Sequence, residues 1–116
     1  MSLLKLEKTA LNDFDPRAEA EKIVMRLTDL RGLLEVYLFG SALSNKFSKD
    51  SDIDLMLIFK DMDSIQDAYK HLSKVQLSHW PVELVYKTKE DFDKRAHIGG
   101  VCFDVFHDGV KLYESK

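Results

Sequence analysis

The chain has 116 residues, 45% hydrophobic and 32% charged, with a formal net charge of -3 at pH 7. A length of this order makes one domain, burying roughly two-thirds of its unfolded surface, and no window reaches the ~18 consecutive apolar residues of a membrane span. No Lys/Arg stripe offsets the acidic balance, so duplex nucleic acid is a poor partner, and the single cysteine, Cys102, leaves no internal disulfide.

The N-terminus, "MSLLKLEKTALNDFD", lacks the apolar core of a signal peptide, and the chain reads as cytoplasmic. Residues 1–14 carry no clear pattern; Leu3, Leu4 and Leu6 suit a short helix or a strand. A helix is expected over 16–31, with Asp15 as N-cap, Pro16 at the first helical position and Gly32 as the stop. Its apolar stripe is Ala20, Ile23, Val24, Leu27 and Leu30. "EVYLF" (35–39) is a short strand ending at Gly40. "IDLMLIF" (53–59) is apolar nearly throughout, as in a central strand covered on both faces. Asp61 or Asp63 caps the next helix, with Ile65, Ala68, Tyr69, Leu72 and Val75 as its stripe. "PVELVY" (81–86) is a third strand, with Pro81 tolerated only at its start. Thr88 with Asp91 forms a capping pair that starts a helix near 89. Gly99 and Gly100 break it, a further helix over 101–108 stops at Gly109, and "VKLYE" returns as a short strand. The order predicts an α/β (α+β) fold: a small mixed sheet with helices packed mainly on one face.

Chemistry gathers around "FGSALSNKFSKDSDIDL". Strand side chains alternate faces, so Asp52 and Asp54 point the same way while Ile53 and Leu55 point into apolar packing. Glu83, between Val82 and Leu84, is another lone acid in an apolar run. If the second and third strands are neighbours, Glu83 lies beside the aspartates. Three crowded carboxylates repel, and without a cation at least one pKa should rise. The donors are all oxygen, which favours Mg²⁺ or Mn²⁺ over zinc. Gly40 and Ser41 lie at the end of the preceding strand, where glycine admits close approach and adjacent N–H groups with the Ser41 hydroxyl can donate to phosphate. Taken singly, Gly-Ser is a turn, "DSDID" a solvated loop and Glu83 a surface acid. The combination is the specific signal.

That combination resembles the nucleotidyltransferase superfamily that includes DNA polymerase beta and kanamycin nucleotidyltransferase. Its signature is an apolar residue with Gly-Ser, roughly ten residues, then acid-apolar-acid and a later third acid. Here these are "FGS", "ALSNKFSKDS", "DIDL" and "VELV". The small size and the ending "DVFHDGVKLYE" look most like the minimal nucleotidyltransferases, prokaryotic proteins often encoded beside an all-helical HEPN protein. The resemblance implies that Gly40 and Ser41 hold the phosphates of ATP or another NTP. Asp52, Asp54 and Glu83 would be catalytic and bind two Mg²⁺ ions, with Mn²⁺ as a substitute, and Glu83 would help deprotonate an acceptor hydroxyl. AMP would pass from ATP to that hydroxyl, and pyrophosphate would leave. Two departures stand out. Ala42, Leu43, Ser44 and Asn45 replace an arginine-rich run, so the basic phosphate contact is either missing or replaced by Lys46 or Lys49. The third acid is Glu where many relatives have Asp.

Almost nothing extends beyond the catalytic core, so the acceptor is expected on another polypeptide, a HEPN-type protein. The rival reading is a non-catalytic antitoxin or regulatory module that masks such a partner. A small-molecule transferase of the aminoglycoside kind would need a drug pocket that the sequence does not show. Self-association stays open. The four histidines match no metal motif, Trp80 and Tyr86 suit the core, and Cys102 reads as a small buried hydrophobe.

Overall fold

The computed structural model of the chain describes residues 14–44 and 47–115. The expectations for Leu3, Leu4, Leu6, Asn45 and Lys46 lie outside the described residues. Asp15 accepts a hydrogen bond from the Arg17 N–H at 3.0 Å and opens α1 (Pro16–Met25). This helix is shorter than the 16–31 that periodicity suggests. Beyond Met25 the bonds tighten to i→i+3, with the Leu27 N–H on the Val24 carbonyl and the Leu30 N–H on the Leu27 carbonyl. Two local competitors explain the early stop. The Thr28 hydroxyl donates to the Met25 carbonyl at 3.2 Å, and the Arg26 guanidinium leaves the helix to donate to the Leu77 carbonyl at 3.0 Å. Leu27 nevertheless stays fully buried, so the apolar stripe outlives the helix.

The remaining elements follow in order: β1 (Leu33–Phe39), a single 3₁₀ turn (Gly40–Leu43), β2 (Ile53–Phe59), α2 (Met62–Leu72), β3 (Val82–Thr88), α3 (Lys89–Arg95), α4 (Val101–Asp108) and β4 (Val110–Glu114). Asp61, not Asp63, caps α2 by accepting from the Ser64 N–H at 2.9 Å. The Thr88 hydroxyl accepts from the Asp91 N–H at 3.1 Å and starts α3. Both caps are local sequence signals, and both helices begin where those signals stand.

The sheet order is β3-β2-β1-β4, with β2 and β3 parallel and the other pairs antiparallel. β2 is thus an inner strand of a mixed sheet. Its odd-numbered residues Ile53, Leu55, Leu57 and Phe59 join Ala20, Ile23, Val24 and Leu27 of α1 and its extension, and Ala68 and Leu72 of α2, in the larger core. Its even-numbered Met56 and Ile58 pack with Tyr37, Phe92, Cys102 and Val105 in a smaller cluster under α3 and α4, on the other face. The sheet is therefore sandwiched, with the main layer on one face. Asp54 shares the smaller cluster's face. The thinner cover there leaves the leading end of β2 open, and the acids stand at that end. Among the described residues no helix is long and apolar enough to cross a membrane.

Candidate active site

Parallel pairing of β2 with β3 sets Asp54 directly opposite Glu83, and antiparallel pairing with β1 sets Asp54 opposite Phe39. Register partners share a face, so Glu83 lies on the aspartates' side of the sheet. Gly40, one residue beyond Phe39, has φ +79°, a left-handed conformation that glycine adopts without strain. A Cβ at this position would collide with Asp54 Oδ2. The Gly-Ser turn thus lies directly against the carboxylate, and its missing side chain is what makes room.

Asp54 is partly buried, Glu83 and Asp52 are exposed. Burial first, then the hydrogen bond with Glu83, the Glu83 charge and the Asp52 charge push the Asp54 carboxyl up to about 6. Asp54 therefore holds its proton more tightly than an ordinary aspartate, and no lysine or arginine forms an ion pair with Asp54 or Glu83 among the described residues. Ser41 is half-buried on the 3₁₀ turn. Lys49 is exposed on a tight turn in which the Ser51 N–H donates to the Ser48 carbonyl at 3.0 Å, and it makes no ion pair among the described residues. The turn brings Lys49 no closer bond to the acids, so its part in the site rests on sequence proximity alone.

Asp52 is held by its neighbours' backbone. The Trp80 indole N–H donates to the Ser51 carbonyl at 2.9 Å, and the Ile53 N–H donates to the Pro81 carbonyl at 2.9 Å. The Trp80 ring is itself stacked on Phe14 at 4.2 Å and on Phe47 at 5.5 Å between centroids. The residues on both sides of Asp52 are therefore clamped to the approach of β3. Sequence reading placed Trp80 in the core but missed this bond, because no local pattern ties residue 80 to residue 51.

Among the described residues no group of three or more His, Cys, Asp or Glu side chains stands ready-made to hold a metal ion. The donors nonetheless suit a hard divalent cation. They are all carboxylate oxygens, those of Asp54 and Glu83 already in contact without a neutralising cation among the described residues, against the Gly40 backbone. Mg²⁺ is commonly held by only one or two carboxylates, with water and substrate phosphates completing the shell, so a closed protein cage is not required.

The family model described as nucleotidyltransferase domain matches residues 20–111. Among solved structures, the chain is similar to a candidate nucleotidyltransferase from Sulfolobus solfataricus, with 23% identity, TM-score 0.55 and coverage of 84% of this chain and 78% of that one. It is also similar to a mutant of the toxin-antitoxin pair MntA-HepT, with 21% identity, TM-score 0.51 and coverage of 84% and 74%. At these identities the two likenesses carry the fold. No curated protein sequence matches the chain.

Proposed function

The chain belongs to the nucleotidyltransferase domain family, and from that premise we propose that it transfers AMP from ATP to a hydroxyl on a partner polypeptide, in a Mg²⁺-dependent reaction. The observation that carries this reading is the Asp54 carboxyl beneath Gly40, raised in pKa by burial and by Glu83 beside it, with no cationic partner among the described residues. A merely structural acid pair would gain from a nearby lysine; a catalytic one keeps that place for a metal-bound substrate.

Asp52, Asp54 and Glu83 would hold the divalent ions, two Mg²⁺ with Mn²⁺ as substitute. When bound, these supply charge neutralisation for the phosphates and for the attacking and leaving oxygens. The protein's own groups have separable tasks. The open backbone at Gly40 lets the triphosphate approach, and Ser41 donates to its oxygens through its N–H and hydroxyl. Lys49, exposed on the turn before Asp52, is the proposed basic contact to the same anion, on sequence proximity. Glu83 accepts the proton of the acceptor hydroxyl as that oxygen attacks the α-phosphorus in line and pyrophosphate departs. A HEPN-type helical protein is the proposed source of the hydroxyl, in keeping with the toxin-antitoxin neighbour.

The experiment is label transfer from α-labelled ATP, with Mg²⁺ and a HEPN-type helical protein as the candidate acceptor. Wild type should label the partner, and the Asp52→Ala, Asp54→Ala double variant should not. Equal labelling by both would sink the assignment of the aspartates. No labelling by either, together with partner neutralisation that survives both substitutions, would leave a masking module.

A further inference from the structure

We infer that the open cavity between the Gly40–Leu43 turn and α4 is the acceptor subsite, and that it takes a polypeptide segment carrying basic and apolar side chains beside the reacting hydroxyl. This rests on the proposed transfer reaction and adds to it the chemistry of the acceptor. The cavity measures about 720 Å³ and is bounded by Phe39, Gly40, Leu43, Val101, Asp104 and Asp108, among others. That volume lies within the range of roughly 300–1,000 Å³ of ordinary ligand sites. Gly40 belongs both to this wall and to the contact with Asp54, so the cavity adjoins the proposed reacting centre across the Gly40 backbone.

The α4 helix is fixed on one side and open on the other. Cys102 and Val105 are buried in the smaller cluster. Val101, Asp104 and Asp108 recur at i, i+3 and i+7 and so share a different face, the one bordering the cavity. Leu43 at 37% and Val101 at 39% exposure give that wall apolar surface facing solvent.

Charge selects the occupant. On α3 the acids are matched within the helix: Asp91 with Arg95 at 2.9 Å, Glu90 with Lys94 at 3.2 Å and Asp93 with Lys89 at 3.2 Å. The α4 sequence, "VCFDVFHD", has no Lys or Arg, and Asp104 and Asp108 form no ion pair among the described residues. Among the described residues, the charged side chains of the cavity wall are both acidic. Such a wall repels a polyphosphate and attracts a lysine or arginine. The triphosphate therefore belongs on the Gly40–Ser41 side, and a basic residue near the acceptor hydroxyl belongs against α4.

Two fluorescein-labelled peptides test this by anisotropy at low salt. Each carries one tyrosine and one leucine; one has two lysines flanking the tyrosine and the other has two glutamates there. The lysine peptide should bind about tenfold tighter, as two exposed charge pairs allow, and 0.5 M salt should erase the difference. Reversing the wall with Asp104→Lys, Asp108→Lys should invert the preference; the milder Asp104→Asn, Asp108→Asn should abolish it, with circular dichroism checking that both fold. Equal binding, no binding of either peptide, or a preference that survives reversal would overturn the subsite. So would displacement of the lysine peptide by ATP with Mg²⁺, which would give the cavity to the nucleotide. Nucleotide uptake by the wild type, measured separately, tests the transfer reaction itself: uptake without peptide discrimination removes only the subsite, and peptide discrimination without uptake removes only the reaction.

Discussion

Glu35 and Glu83 stand on the same face of the sheet, each a lone acid between aliphatic neighbours on a strand. Their surroundings are opposite. Glu35 is 5% exposed, receives the Lys89 ammonium at 2.8 Å and the Tyr37 hydroxyl at 3.1 Å, and has Lys111 at 3.6 Å. Burial alone would raise its carboxyl pKa, but the bond and charge of Lys89, the Tyr37 hydroxyl and Lys111 outweigh burial and hold it below its ordinary value. Lys89, bonded chiefly to Glu35, is raised in turn. Glu83 meets another carboxyl group, Asp54, whose pKa rises. One end of the face uses an acid to join β1, β4 and α3. The other end keeps two acids in mutual conflict beside an open turn. Stability explains the first and not the second, and that asymmetry is what supports the second end as the proposed site.

The sharpest way to break this comparison is a pair of isosteric substitutions. Asp54→Asn should lower nucleotidyl transfer by about a thousandfold or more, because it removes several kcal/mol of transition-state charge stabilisation. Its urea midpoint should equal or exceed wild type, since a repulsion is relieved. Glu35→Gln should do the reverse. It leaves transfer within a few-fold and costs about 1–2 kcal/mol of stability, less than the 3–5 of a wholly buried pair, because the Lys89 and Lys111 side chains remain 41% and 36% exposed. Denaturant titration and label transfer on both variants read the two axes. Parallel losses on both axes in both variants would dissolve the distinction between the two ends.

Trp80 sharpens the comparison at the site end. Trp80→Phe keeps a ring between Phe14 and Phe47 but deletes the donor to the Ser51 carbonyl. The loop before Asp52 then loses one of its two clamps. Transfer should fall about tenfold, in the range seen for groups that orient metal ligands from outside. Stability should fall by no more than about 1 kcal/mol, the worth of one hydrogen bond. Trp80→Ala, which also removes the stack, should cost markedly more stability. If Trp80→Phe kept full activity, the indole would be a packing group only.

How much of this was readable from the chain depends on how far each signal reaches along it. The helix starts at Pro16, Met62 and Lys89, the stop at Gly109 and the return of "VKLYE" as β4 are set by residues within four positions, and they appear where the sequence puts them. The end of α1 is not local: it depends on Arg26 meeting the carbonyl of Leu77, 51 positions away. The placement of Glu83 beside Asp54 was legible, because strand alternation sets the face once the strands are neighbours. The collision that keeps Gly40 a glycine was not, since it needs the register that puts Phe39 against Asp54. Glu35 shows the limit most clearly. "LEV" and "VEL" are equivalent as patterns, and only the third dimension supplies Lys89 and Lys111 to one of them.

The smallest expected effect is in pH dependence, and it carries opposite signs at the two ends. Glu35 has a folded pKa below its ordinary 4.5, so its stabilisation is complete above that value and is lost as pH falls through the folded pKa. Its facing groups, Tyr37, Lys89 and Lys111, keep their protons throughout this range. Asp93 and Glu114, which pair with the two lysines, are common to wild type and variant. The stability of wild type minus that of Glu35→Gln should therefore be flat above about pH 5 and shrink below 4.5. Asp54 is raised from 3.8 to about 6, so its contribution runs the other way: it is complete below 3.8 and is lost as pH rises through 6. In metal-free buffer, wild type minus Asp54→Asn should grow as pH drops from 6 toward 4. Acid-labile contacts elsewhere, such as the Asp91–Arg95 pair, cancel in each subtraction. Urea midpoints at half-unit pH steps would resolve both slopes. Two difference curves of the same sign would mean that the two carboxylate environments are alike, and the contrast between a satisfied acid and a conflicted pair would no longer locate the site.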